Sequence, residues 1–310
     1  MLGVALIGTA CGGSSAVPSA ASPVASVAAP TPNQLTVMAA GDISCDSAAP
    51  QMPCRSRETS DLIMGERLLQ SPILVLPLGD LQYEIGSLVE FRRSYHSTWG
   101  RFAAESRPAV GNHEYETRNA TGYFDYFAEQ GVSPGDRNEG WYSYDRANWH
   151  FVALNSNCAR IGGCQVGSPQ YRWLQADLLA NRQKCTVAYM HHPFSSTGAN
   201  GSTPALLPLM QLLYENKTEV VLAGHDHNYQ RFVPMTPALV PDPAAGFRLF
   251  VVGTGGRDLT SFSRAAATIV AHRDNEHYGV LRLGLSDFRY DWGFLDTRGL
   301  ILDSGTGVCF

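Results

Sequence analysis

The chain has 310 residues, 44% hydrophobic and 16% charged, with a formal net charge of −5. An apolar content near the globular average, with so little net charge, excludes disorder over most of the length. The mildly acidic balance, without a basic run, excludes a nucleic-acid-binding platform, and no apolar run reaches the ~18 residues of a membrane-spanning helix.

Residues 1–10, MLGVALIGTA, are apolar and end in small residues before Cys11. Gly8-Thr9-Ala10-Cys11 resembles the cleavage box of a bacterial lipoprotein signal, in which Cys11 takes the lipid; a plain secretory signal is the alternative. Residues 12–33 are rich in Ser, Ala, Pro and Gly and carry no charge. Such a stretch buries too little surface to fold and reads as a linker. The expectation is an address at 1–11, a linker at 12–33 and one exported domain at 34–310, either a cell-surface lipoprotein or secreted. Of the seven cysteines, Cys11 is assigned to lipid, and six in an exported chain suggest three disulfides. Sequence proximity favours Cys45–Cys54 and Cys158–Cys164, which leaves Cys185–Cys309; buried free thiols are the alternative.

Strand-length apolar runs lie at 35–40, 73–78, 185–190 and 218–223, with a shorter one at Pro108-Ala109-Val110. Helical spacing predicts helices over 57–70 and 87–99, over 168–182 opening on Ser168-Pro169, and over 204–215. From 229 onward the pattern is strand-like at 247–252, 278–285 and 288–295. Alternation before a strand-rich tail argues an α/β fold with mixed sheets.

The residues just past each apolar run carry the chemistry. The runs end in Gly41-Asp42, in Gly79-Asp80 with Tyr83 three residues on, in Gly111-Asn112-His113-Glu114, in His191-His192-Pro193, and in Gly224-His225-Asp226-His227. In α/β sheets the carboxyl ends of strands are where ligands bind. Carboxylate, imidazole, amide carbonyl and phenolate together are ligands for hard to borderline metals. A phenol titrates near ~10, so it coordinates at neutral pH only beside a strong Lewis acid such as Fe(III). A single Gly-Asp or His is usually a turn or a packed residue; five such endings in series point to a metal site.

This series resembles the calcineurin-like metallophosphoesterase superfamily, and Gly-Asp-x-x-Tyr resembles its purple acid phosphatase branch. The resemblance spans about residues 36–231. It implies a four-layer α-β-β-α sandwich of two mixed sheets and a two-metal centre. By motif, Asp42, Tyr83 and His227 would bind Fe(III). Asn112, His191 and His225 would bind a divalent ion (Fe, Zn or Mn), and Asp80 would bridge the two. Two metals ~3.5–4 Å apart hold a phosphoryl oxygen and generate hydroxide for in-line attack, and His113 is the residue expected to assist the leaving group. Three departures from the family pattern stand out. Ser44 replaces a usual glycine. Asn200, in the Ser195–Ser202 loop read as flexible, replaces a histidine of the animal enzymes. No large domain of the plant kind precedes residue 35.

His192, Asn200 and Tyr229 are the candidate substrate-side residues. Glu114 reads as a hydrogen-bond partner of the centre, His96 and His150 as structural, His272 and His277 as solvated loop residues, and Gly253-Thr254-Gly255-Gly256 as a turn. The favoured reading is an exported phosphatase acting on small phosphate monoesters, with Cys11 as the candidate membrane anchor. A phosphodiesterase acting on nucleotides or lipid head groups is the alternative, and a phosphate- or metal-binding protein without turnover is the reading from another class.

Overall fold

The computed structural model describes residues 1, 3, 34–46, 54–69, 73–182 and 184–310. Cys11 and the Ser/Ala/Pro-rich segment lie outside the described residues. The strands are β1 (Leu35–Ala40), β2 (Ile73–Pro77), β3 (Tyr142–Arg146), β4 (Trp149–Ala153), β5 (Cys185–Tyr189) and β6 (Val220–Ala223). They continue with β7 (Tyr229–Phe232), β8 (Arg248–Val252), β9 (Val270–Asp274), β10 (Gly279–Ser286), β11 (Arg289–Asp296) and β12 (Ile301–Val308). The α-helices are α1 (Ser56–Leu69), α2 (Leu88–Glu90), α3 (Thr121–Glu129), α4 (Pro169–Ala180) and α5 (Leu207–Glu215).

Two mixed sheets result. One runs β12-β11-β10-β1-β2, and the other β3-β4-β5-β6-β8-β7-β9. In the first only β1–β2 is parallel; in the second β4, β5, β6 and β8 form a parallel centre flanked by antiparallel strands. Strand side chains alternate faces. Val187, Val220 and Phe250 therefore join Val37, Leu283 and Phe294 of the first sheet in one cluster between the sheets. Their neighbours Ala188, Val221 and Leu249 turn the other way, onto Leu174 and Leu178 of α4 and Leu209 and Leu213 of α5. On the far side of the first sheet α1 buries Ile63 and pairs Glu66 with Arg282 of β10 at 3.2 Å. This is the α-β-β-α layering expected.

Ser168 caps α4 by accepting from the Tyr171 N–H at 3.3 Å, with Pro169 in the first turn. The helix expected over 87–99 is interrupted: a capping box at Ser87/Glu90 starts α2, which passes into a π-helical turn at Phe91–Tyr95. The short run at 108–110 makes only an isolated bridge, Leu78 to Ala109. His272 lies on β9 rather than in a loop. The three cysteine pairs are Cys45–Cys54, Cys158–Cys164 and Cys185–Cys309. Among the described residues no helix is long and apolar enough to cross a membrane.

Candidate metal centre

The carboxyl ends of β1 and β2 from one sheet meet those of β5 and β6 from the other. Asp42 and Asp80 come from the first pair, His191, His225 and His227 from the second, and the Leu78–Ala109 bridge brings Asn112 alongside. The loops approach closely because of glycine. At Gly79, with φ +85°, a Cβ would lie 2.6 Å from the Cβ of His191. Asp42, Asp80 and His225 themselves hold left-handed backbone (φ 60°, 48° and 71°), a strain that is kept where the site over-determines it.

Two sets of donor atoms share Asp80. The Tyr83 hydroxyl lies 2.8 Å from Asp42 Oδ1, 3.1 Å from Asp80 Oδ2 and 3.1 Å from His227 Nε2. His191 Nε2 lies 3.1 Å from both Asn112 Oδ1 and Asp80 Oδ2, and 3.2 Å from His225 Nδ1. The outer nitrogens of two of these rings are fixed by backbone. His191 Nδ1 sits 2.9 Å from the Leu78 carbonyl, and His227 Nδ1 sits 2.8 Å from that of Asp258. A carbonyl only accepts, so both Nδ1 atoms carry the proton and both Nε2 atoms turn a lone pair inward in the neutral ring. Those lone pairs face carboxylate and amide oxygens. Acceptors aimed at acceptors need cations between them, metal ions or protons, and the carboxylate, imidazole and amide donors of this set fit a metal ion.

The electrostatics agree. Burial pulls His191 and His227 down, but the Asp80 and Asp42 charges around His191, and Asp42 beside His227, outweigh it and hold each at about 9. The cluster draws protons where it has no metal. Burial would raise Asp80, yet His191 and His113 hold it well below the usual carboxylate range. Burial, then the Asp42 and Asp80 charges, push the Tyr83 phenol far up. It ionises here only if a strong Lewis acid takes the proton's place.

Around this set, Glu114 is fully buried and accepts N–H bonds from Gly111 at 2.7 Å, Leu81 at 2.8 Å and Asp80 at 3.0 Å. It ties the Asp80 loop to the Asn112 loop, the supporting role read from sequence. The His113 N–H donates to Asp80 Oδ1 at 2.9 Å, and its Nδ1 lies 2.5 Å from the Glu84 carbonyl, so the partly exposed ring turns Nε2 toward the centre, 3.9 Å from Asp80 Oδ2. Ser44 accommodates its departure from glycine by bonding Thr98 at 3.3 Å inside the core.

The substrate-side candidates divide. Asn200 is exposed at the rim, with its Nδ2 donating to the His225 carbonyl at 2.6 Å. His192 packs its ring 4.4 Å from that of His225, with Nδ1 on the Ser156 hydroxyl at 2.8 Å. Tyr229 is a correction: it is fully buried, donates to Asp303 at 2.7 Å and stacks on Phe294, because β7 turns it toward the inter-sheet core. The Ser195–Ser202 loop is a second correction, since Ser195, Ser196 and Thr197 are buried and the last two are hydrogen-bonded rather than loose.

Three neighbours were not read from sequence: Ser156, Asp226 and Arg257. The Arg257 guanidinium carbon lies 4.7 Å from the Tyr83 ring centroid and pairs with Glu84 at 2.8 Å. It comes after the glycine-rich turn that ends β8, where nothing local marks it. Asp226 was signalled only by standing between two histidines. Among the described residues, metal-sized groupings of donor atoms include Asp42/Asp80/His191 and His191/His192/His225; the third, Cys185/Glu219/Cys309, is built on a disulfide.

Residues 32–229 match the family model described as calcineurin-like phosphoesterase, and the chain belongs to that family. It is similar to purple acid phosphatase 21 of Arabidopsis thaliana, 32% identical over 202 residues, covering 59% of this chain and 44% of that protein. It is equally similar to the uncharacterized protein MT2654 of Mycobacterium tuberculosis, 32% identical over 199 residues, covering 56% of this chain and 37% of the other. The matches thus span less than half the length of these relatives. Among solved structures, the fold matches the purple acid phosphatase PPD1 of yellow lupin with a TM-score of 0.71 at 20% identity, over 89% of this chain and 54% of that one.

Proposed function

We propose that the chain is a two-metal phosphatase that hydrolyses small phosphate monoesters, with residues 34–310 as its catalytic unit. The observation that carries this reading is the pair of backbone-buttressed histidines, His191 and His227, whose inner nitrogens face acidic and amide oxygens at 3.1–3.4 Å. In this reading Asp42, Tyr83 and His227 would hold Fe(III), Asn112, His191 and His225 would hold a divalent Fe, Zn or Mn, and Asp80 would serve both. When bound, such a pair supplies Lewis acidity that neutralises phosphoryl charge and acidifies water.

The chain's own residues do the rest. Asp80 orients His113 through the His113 backbone N–H. The Glu84 carbonyl fixes the His113 Nδ1–H, which leaves Nε2 as the ring atom that assists the departing oxygen. Asn200 has a second Nδ2–H left for a phosphate oxygen, and His192 lines the same side. Three disulfides support an oxidising, exported setting, with Cys11 as the lipid anchor.

The test is metal analysis combined with rates on a chromogenic monoester and diester across pH. Turnover of the monoester, lowered ~100-fold in His113→Ala with metal retained, is expected. No turnover of either ester would sink the enzyme reading, and preference for the diester would replace it with the phosphodiesterase. Loss of metal in His113→Ala would make His113 a ligand.

A further inference from the structure

Asp226 stands between two histidines of the centre, yet its carboxylate serves a different part of the protein. It is fully buried. Its oxygens accept from the Ser196 hydroxyl, from the Asn200 N–H at 2.8 Å and from the Gly201 N–H at 3.2 Å. All three donors belong to the Ser196–Gly201 loop, so the acid is solvated by that loop's hydroxyl and N–H groups. We propose that Asp226 is a positioning residue that holds the Ser196–Gly201 loop, and with it Asn200, against the metal-binding histidines. The inference rests on the phosphatase reading of the site for its kinetic arm only.

Three further observations converge on this. The backbone at residue 198 is pressed onto the carboxylate: a Cβ at Gly198 would lie 2.3 Å from the Asp226 carboxyl carbon. Only glycine allows the loop to close over the acid. Next, the loop is clamped from its other side, where the Ser263 and Arg264 N–H groups donate to the Thr197 carbonyl and the Ser263 hydroxyl donates to the Gly198 carbonyl at 2.7 Å. Finally, Asn200 returns the contact by donating to the carbonyl of His225, the residue preceding Asp226. Loop and histidine segment therefore brace each other across one peptide unit. A loop of this length without an anchor would have to lose its conformational freedom each time substrate bound. The buried carboxylate removes that cost in advance, which is a contribution to substrate binding rather than to the chemical step.

The experiment compares the full-length wild type, Asp226→Asn and Gly198→Ala. In Asp226→Asn one accepting oxygen becomes an NH₂ that meets N–H donors. Gly198→Ala pushes the loop off an intact Asp226. Both are expected to speed amide hydrogen exchange at Asn200 and Gly201 by ~10-fold or more. Both are expected to raise KM for the monoester by about tenfold, with kcat changed far less and metal content unchanged. Unchanged exchange in both variants would overturn the proposal whether or not the protein is a phosphatase. Loss of metal from Asp226→Asn with the loop still protected would overturn it too, by assigning the acid to the metal site. A fall in kcat at constant KM would also refute it. A wild type without turnover would fail the phosphatase reading alone, leaving the exchange data to decide on Asp226.

Discussion

Replacing Glu114 tests how the two halves of the centre are held in register. Its Oε2 accepts from Gly111 and Asp80, its Oε1 from Leu81, all at 2.7–3.0 Å and all buried. Truncation in Glu114→Ala leaves those three buried N–H groups, and the more distant Gln82 N–H at 3.4 Å, without this acceptor. Each hydrogen bond to a charged group is worth roughly 1.5–3 kcal/mol, and each abandoned donor costs ~1–3 kcal/mol. The carboxylate itself is costly to bury, since burial and then the Asp80 charge push its pKa up to about 7, and that offsets part of the loss. A net destabilisation of about 4 kcal/mol is the outcome for alanine, and about 2 kcal/mol for glutamine, which keeps one accepting oxygen. Urea unfolding at fixed pH reads this as a shift in midpoint at constant slope. Metal titration of the same variants should show weakened binding, because the Asp80 and Asn112 loops lose their tie. If alanine cost under ~1 kcal/mol, or if glutamine cost more than alanine, the acceptor-hub reasoning would be wrong.

Tyr83 lies within 3.1 Å of Asp42, Asp80 and His227 donor atoms; iron-loaded wild type should therefore show a visible phenolate-to-iron band that Tyr83→Phe lacks, and colourless iron-loaded wild type would count against Fe(III) at this position. His150 bridges Asp145 at 2.9 Å and Asp177 at 2.7 Å; burial lowers its pKa but the two carboxylates raise it further, for a net rise. The folded state then keeps a proton that the unfolded chain releases near ~6.5. That stabilisation is complete below ~6.5 and is lost as pH rises through the folded value. The Tm advantage of wild type over His150→Gln should shrink from pH 5.5 to pH 9, and an advantage that grew would reverse the assignment.

Asp42, Asp80, Asn112, His191, His225 and His227 were legible because each comes after a short apolar run and a turn, a local pattern. Glu114 was readable as a support because it lies two residues from Asn112. Asp226 was not, because its partners Ser196, Asn200 and Gly201 are 25–30 residues away. Arg257 reaches Tyr83 across 174 positions, from 83 to 257, for the same reason. Tyr229 was misread because adjacency to His227 in sequence says nothing about which face of β7 a side chain takes.

Sequence alone determined the strand ends, the glycines that let them turn, the residue types of the centre and the pairing of neighbouring cysteines. All of these are set by local backbone sterics and short spacing. Tertiary structure decided that β1 and β2 belong to one sheet and β5 and β6 to another. It also aimed both carboxyl edges at one point, set Asp226 on the loop, and turned Tyr229 into the core. Those outcomes depend on burying apolar faces between two sheets, and burial is a property of the whole chain that no window of sequence contains.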